Sequence, residues 1–273
     1  MLKTRVITAV VLLAVLLPVT LFAPLAAFGA LIALALVFAA WEWGRLLRLG
    51  GAGPLAYAAV AALALGASTR LGIGAAAARP LFAAAGVFWL LAGPYALWRK
   101  PALAERAWKP FLLVAGLVVF SACWHALVAA RAQGVPFVLS LLVVVWLADI
   151  GAYFAGKAFG KHKLAPSVSP GKTWEGAAGG WLAVMIVAGA AVAAHAFEPT
   201  LYSTFVARYG AAGAFAALTV LVAFSVVGDL FESLLKRQAG VKDSSGLLPG
   251  HGGVLDRVDA LLPVLPLAML LLG

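Results

Sequence analysis

The chain has 273 residues, of which 64% are hydrophobic and 11% charged, with a formal net charge of +10. A mean hydropathy of +1.05 excludes an ordinary soluble domain, and the long Ala/Leu/Val runs lack the alternation of a transmembrane barrel. What remains is an all-α, polytopic integral membrane helical bundle, read as a single membrane domain over residues 1–273. The lone cysteine, Cys123, excludes an internal disulfide and reads as a small buried hydrophobe.

Spanning hydrocarbon takes about 20 residues of helix. In chain order, about nine stretches qualify by this rule: residues 6–23, 25–43, 54–69, 80–98, 110–130, 136–155, 176–197, 212–235 and 254–273. Pro18 and Pro24 punctuate the first two, and Pro263 and Pro266 interrupt the last, as neighbouring helices allow. Lys3 and Arg5 before the first apolar run resemble a signal peptide, but the run's length and the immediate second span favour a retained helix. From a cytoplasmic amino terminus, nine spans leave only Arg70, Arg79, Arg131 and Arg208 outside, with every other Lys and Arg inside. The net charge is therefore a topological signal with an added attraction for anionic lipid heads, and it does not indicate nucleic acid.

Residues 1–135 read mainly as scaffold helices, with Trp41, Trp43, Trp98 and Trp108 near expected interfaces, where indoles anchor at headgroups. His125, like the later His195, is isolated on an apolar span and carries no assigned role. Residues 136–273 hold the chemistry. Asp149, near the inner end of the sixth span, opens a basic segment with Lys157, Lys161, Lys163 and Lys172. That segment reads either as a positive-inside loop or as a cover in which Ser167, Ser169, Lys172 and Thr173, held by Pro166, Pro170 and Gly171, close over phosphates. Gly176 and Gly180 then form a small-xxx-small pair, suited to close helix contact within the bundle or between protomers.

Asp229 lies about two turns before the inner end of the eighth span, and Asp256 and Asp259 lie in the opening turns of the ninth. With Asp149, four carboxylates are expected at one depth. Asp256 and Asp259 share a helix face and should repel unless a cation intervenes, and a hard ion such as Mg²⁺, bound through carboxylates and substrate phosphates, would relieve that. The bland reading pairs Asp256 with Arg257, or lets it favour the helix N-terminus, and pairs Asp229 with Lys236. Ahead of the acids, Pro249-Gly250-His251-Gly252-Gly253 makes a turn able to present N–H groups to an anion. Lys236, Arg237, Lys242 and Arg257 beside it favour phosphate.

These residues resemble the phosphatidate cytidylyltransferase (CDP-diacylglycerol synthase) family. The signature is carried by Ser233, Leu235, Lys236, Arg237, Lys242, Asp243, Ser245, Pro249, His251, Gly252, Gly253, Val254, Asp256, Arg257, Val258 and Asp259. A second stretch is carried by Asp149, Gly151, Ala152, Tyr153, Gly156, Gly160, Lys161, Ser169-Pro170, Lys172-Thr173 and Glu175-Gly176. Ile150 stands where a small hydroxyl residue is usual, and Ala260 where Ser is common. The resemblance implies that CTP and phosphatidate are converted to CDP-diacylglycerol and pyrophosphate in a bacterial inner membrane, with the site facing the cytoplasm. On that reading Asp229 and Asp256 ligate Mg²⁺, Asp259 completes a second cation position, divalent or monovalent, and Asp149 coordinates directly or supports a ligand. Lys172, Lys236, Arg237, Lys242 and Arg257 hold the triphosphate and the lipid phosphate, with Ser169 and Thr173 beside them and His251, Gly252 and Gly253 near the leaving pyrophosphate. The resemblance also implies a homodimer, for which Gly176–Gly180 is a candidate contact. A polyprenol kinase or other CTP-using lipid enzyme is the alternative among enzymes, and a transporter the alternative outside them.

Overall fold

The computed structural model describes residues 2–72, 74, 77–105 and 107–273, with only the backbone described for Leu2, Lys3 and Arg5. Arg106, counted among the inner charges, lies outside the described residues. In order, the helices are α1 (Leu2–Phe22), α2 (Leu25–Leu46), α3 (Gly53–Arg70), α4 (Arg79–Val87) and α5 (Gly93–Arg99), the last two joined by a π-helical turn (Phe88–Ala92). Then follow α6 (Trp108–Gln133), α7 (Val135–Phe159), the antiparallel hairpin β1 (Lys163–Ala165) and β2 (Ser169–Thr173), α8 (Trp174–Ala193), α9 (Leu201–Ala239), α10 (Leu255–Val258) and α11 (Leu261–Leu272).

Six helical segments, not nine, are long and apolar enough to cross a membrane among the described residues: α2, α4–α5, α6, α7, α8 and α9. The last expected stretch breaks near Asp259 into α10, of 4 residues, and α11, of 12. At 1.5 Å per residue α11 reaches about 18 Å, well short of a hydrocarbon core about 30 Å thick. Its side chains are apolar because it packs on α9, α4 and α6, with Leu262, Val264 and Leu265 all buried. Hydropathy registers a helix sealed inside protein and one facing lipid in the same way. By contrast α9 runs for 39 residues, bent where Gly210 takes φ 71° and ψ 176°, a conformation that a side chain strongly disfavours.

The core between α2, α6 and α9 is aromatic. Trp43 is buried, donates its indole N–H to the Leu112 carbonyl at 3.1 Å and stacks on Phe231 with centroids 6.0 Å apart. It is thus a core residue, not the interfacial anchor expected of it, whereas Trp98 is exposed.

Helices α7 and α8 pack almost backbone to backbone. A Cβ on Gly180 would come within 2.3 Å of the Ala148 carbonyl oxygen, and one on Gly176 within 2.9 Å of that of Ala152. The Gly176–Gly180 face is therefore spent inside the chain, which removes it as a contact between protomers. This tight hairpin of helices aligns Asp149 with the β2 strand and with α9.

Candidate active site

A cavity of about 500 Å³ opens between α7, β2, α8 and α9. Its polar lining includes Asp149, Lys157, Ser169, Lys172 and Asp229, and its apolar wall is formed by Ala148, Ala152, Val222 and Val226. The α7 periodicity puts Asp149, Ala152, Tyr153 and Gly156 on one face, and all four line the cavity. The β1–β2 hairpin then returns Lys172 over α9, where its ammonium meets Asp229 Oδ2 at 2.5 Å. Ser233 donates to the other oxygen of Asp229 at 3.4 Å. Thr173, also on the lining, caps α8, its Oγ1 accepting the Gly176 N–H at 3.1 Å.

The Gly-rich turn is a different kind of structure. Asp256 is its hub. One carboxylate oxygen takes the Lys236 ammonium at 2.5 Å, and the other accepts from the Ser244 N–H at 2.9 Å, the Ser244 hydroxyl at 2.8 Å and the Gly253 N–H at 2.7 Å. Burial opposes ionisation of Asp256, but the Lys236 bond and these N–H donors outweigh it and hold its carboxyl down at about 2. Lys236 is shared with Glu232, one helical turn earlier on α9. Gly252 sits at φ +85°, and a Cβ there would lie 2.6 Å from Asp256 Oδ2. The turn is closed by Leu248 N–H to Gly252 C=O at 2.8 Å and by the Arg257 guanidinium on the His251 carbonyl at 2.8 Å.

The four expected carboxylates thus separate. Asp149 and Asp229 line the cavity, and Asp256 is engaged by donors within the turn. Asp259 follows α10 and bonds the Ala260 N–H at 2.8 Å; burial first, and the charge of Asp229 second, push its carboxyl well above the usual range. Among the described residues no three acids, histidines or cysteines come together closely enough to hold a metal ion. Neither bland pairing forms. Lys236 pairs with Glu232 and Asp256, Lys172 takes Asp229, and Arg257 braces the turn backbone. Arg237 donates to the Val168 carbonyl at 3.3 Å, tying α9 to the loop between the strands, while Lys242 is exposed. His251 keeps a buried Nδ1 without a hydrogen-bond partner.

Two acids escaped the reading of the sequence. Glu232 precedes the signature by one residue and holds Lys236. Glu42, on α2 and 0% exposed, accepts from the Ser245 hydroxyl, from the Val254 N–H at 3.1 Å and from the Leu255 N–H at 2.6 Å. The signal available for Glu42 was an isolated acid in an apolar helix, and for Glu232 its spacing of four residues from Lys236.

A family model described as the cytidylyltransferase family matches residues 3–273. A phosphatidate cytidylyltransferase of Pseudomonas aeruginosa is 41% identical over 277 residues, covering 100% of this chain and 97% of its own length. A protein of the same name from Haemophilus influenzae is 48% identical over 134 residues, covering 49% of this chain and 44% of its own. One from Staphylococcus saprophyticus is 43% identical over 143 residues, covering 52% and 51%.

Proposed function

The chain belongs to the cytidylyltransferase family, and from that premise we propose how its own residues carry the reaction. It is an integral membrane nucleotidyltransferase that converts CTP and phosphatidate to CDP-diacylglycerol and pyrophosphate in phospholipid biosynthesis. An oxygen of the phosphatidate phosphate attacks the α-phosphorus of CTP in line. The bond from that phosphorus to the bridging oxygen of the β-phosphate breaks, and pyrophosphate leaves. The nucleophile is already an anion, so the barrier lies in aligning like charges and neutralising the charge that moves to the leaving group.

The observation that carries the reading is the two-sided cavity, with acids and Lys172 at its polar end and Val222, Val226 and Ala152 along its wall. A phosphate head fits the first and the start of an acyl chain the second. Exposed Ile150, Tyr153, Phe154 and Trp174 surround this region and suit entry from the bilayer. Lys172 reaches the reacting phosphates by leaving Asp229, with Ser169 at the lining, and Arg237 and Lys242 would serve the triphosphate as further cations. The turn at His251, Gly252 and Gly253 would then serve the leaving pyrophosphate.

Family membership implies a divalent cation. The donor set fits a hard ion such as Mg²⁺: all oxygen, with Asp149 and Asp229 on one cavity. Asp229 and Asp149 would hold it and Asp259 a second cation, supplying charge neutralisation at the phosphates. Asp256, with its donors already in place, would reach a cation only by giving up Lys236.

The site end of the bundle faces the cytoplasm on this reading. Lys100 bonds Ser167, Lys109 bonds the Arg48 carbonyl at 3.0 Å and Arg48 bonds the Gln238 carbonyl, so basic residues gather around the site. At the other end Arg131 holds the Thr20 carbonyl at 2.7 Å, and Arg208 holds the Leu272 carbonyl. This is the asymmetry of a positive-inside protein.

The test is transfer of label from CTP carrying it on the α-phosphate into extractable lipid, by purified protein given phosphatidate and Mg²⁺, with and without EDTA. Chelator-sensitive label in the lipid supports the reading. A lipid kinase would label the lipid only from the γ-phosphate, and that result would end it.

A further inference from the structure

We infer that Glu42 is a positioning residue for cytidylyl transfer, contributed by the amino-terminal scaffold: its buried carboxylate fastens the turn of residues 243–255 to α2. The inference rests on the reaction assigned above. Three donors from the turn converge on one side chain more than 200 positions away in sequence, namely the Ser245 hydroxyl and the Val254 and Leu255 N–H groups. The last two open α10, whose first N–H groups have no intrahelical partner and need an acceptor. Since α10 has only 4 residues, it cannot hold its own direction, and that direction places both Asp256 and Asp259.

The fit around Glu42 is close on every side. A Cβ on Gly253 would lie 2.2 Å from Glu42 Oε1 and 2.1 Å from Ser244 Oγ, so the backbone passes where no side chain could. Trp43, the next residue, is locked between Leu112 and Phe231, which denies α2 the freedom to rotate. Among the described residues Glu42 takes part in no ion pair. A buried carboxylate satisfied by backbone and hydroxyl donors alone behaves as an anchor for the chain that supplies them.

The consequence runs through Asp256. It shares the turn with Glu42 from the opposite side, and its bonds to Gly253 N–H and Ser244 need the backbone that Glu42 fixes. Glu42 is not among the residues that line the cavity, so its loss should act by letting residues 251–256 move.

Glu42→Gln keeps the volume and one acceptor oxygen but turns an NH₂ group toward donors, whereas Glu42→Ala removes every acceptor. Turnover of α-labelled CTP should fall about tenfold in the first and about a hundredfold or more in the second, given what unsatisfied buried donors cost. Amide exchange over residues 243–256, followed by mass spectrometry on full-length protein, should rise in the same order, while exchange in α7 and α8 stays at the wild-type level. Ser245→Ala should cost little more in the Glu42→Ala background than the background itself, because the two share one interaction. Wild-type turnover in Glu42→Gln would overturn the inference, as would lost turnover with unchanged exchange in the turn. Should the wild type itself transfer no label, the assigned reaction fails, and the exchange comparison still decides whether Glu42 fastens the turn.

Discussion

Two regions of this protein carry the same kinds of residue and use them in opposite ways. In the cavity beneath the β1–β2 hairpin, Asp149, Asp229 and Lys172 line open space, and Lys172 with Asp229 forms a partly exposed pair that substrate can displace. In the turn of residues 243–256, Asp256 and Glu42 are filled with donors, and Lys236 is 9% exposed between two acids. A charged residue in a membrane protein marks a site in either case. What separates contact with substrate from construction of the loop is whether its hydrogen-bonding capacity is already spent.

Substitutions that leave volume intact can break this comparison. Asp229→Asn should give the largest effect, a loss of turnover of about a thousandfold or more, because it removes charge where the substrate phosphates and the cation meet. The amount of folded protein in membranes should match wild type, since the partner it abandons, Lys172, has the cavity's open space to turn into. Measuring label transfer beside a detergent-resistant folded fraction checks both halves. A parallel loss of folded protein would move Asp229 into the structural class.

Asp256→Asn comes next and should behave differently. It replaces an acceptor of Lys236 and of three turn donors, so a buried cation loses one of its two acids, a change that costs about 3–5 kcal/mol when a buried pair is broken. Turnover should fall about a hundredfold or more, with protease cleavage appearing between residues 243 and 253. The same fall with the turn still protected would mean that Asp256 leaves Lys236 during the reaction and acts directly on substrate or cation. Lys172→Met should follow, with a fall of about tenfold to a hundredfold in kcat/KM. It removes one phosphate contact while freeing Asp229, so tighter dependence on Mg²⁺ concentration is expected alongside. Unchanged kcat/KM would place Lys172 as a lid closing an empty site.

Much of this was legible in the residues, and the rest was hidden for identifiable reasons. The acids and the Gly-rich turn announced themselves because charge is rare in this chain and clustered where it occurs. The partition between cavity and turn was not readable, since spacing along a helix cannot say which acids find donors after folding. Of the nine expected spans, 6–23, 54–69 and 254–273 are not among the six long apolar helices of the described residues, and the last misled because burial inside protein and exposure to lipid select the same side chains. Gly176 and Gly180 were read correctly as a close-contact pair, but which surface they meet depends on the α7 backbone that Gly151 and Ala152 bring alongside. Glu42 stayed unseen because its partners lie in the other half of the chain.

The smallest expected effect sharpens the distinction between the two uses, because Thr173 combines both within the cavity. It lines the cavity, yet its hydroxyl caps α8 by accepting the Gly176 N–H, and its exposure is 5%. Thr173→Val keeps the shape and deletes the hydroxyl, which should cost about 1 kcal/mol of stability through the lost cap. Turnover should drop only a fewfold, because the β2 backbone that carries Lys172 remains paired with β1. Thr173→Ser should restore the cap and the stability together. A fall of about a hundredfold in the Val variant with an unchanged thermal midpoint would show instead that the hydroxyl reaches substrate, and the line between contact and construction would then run through a single side chain.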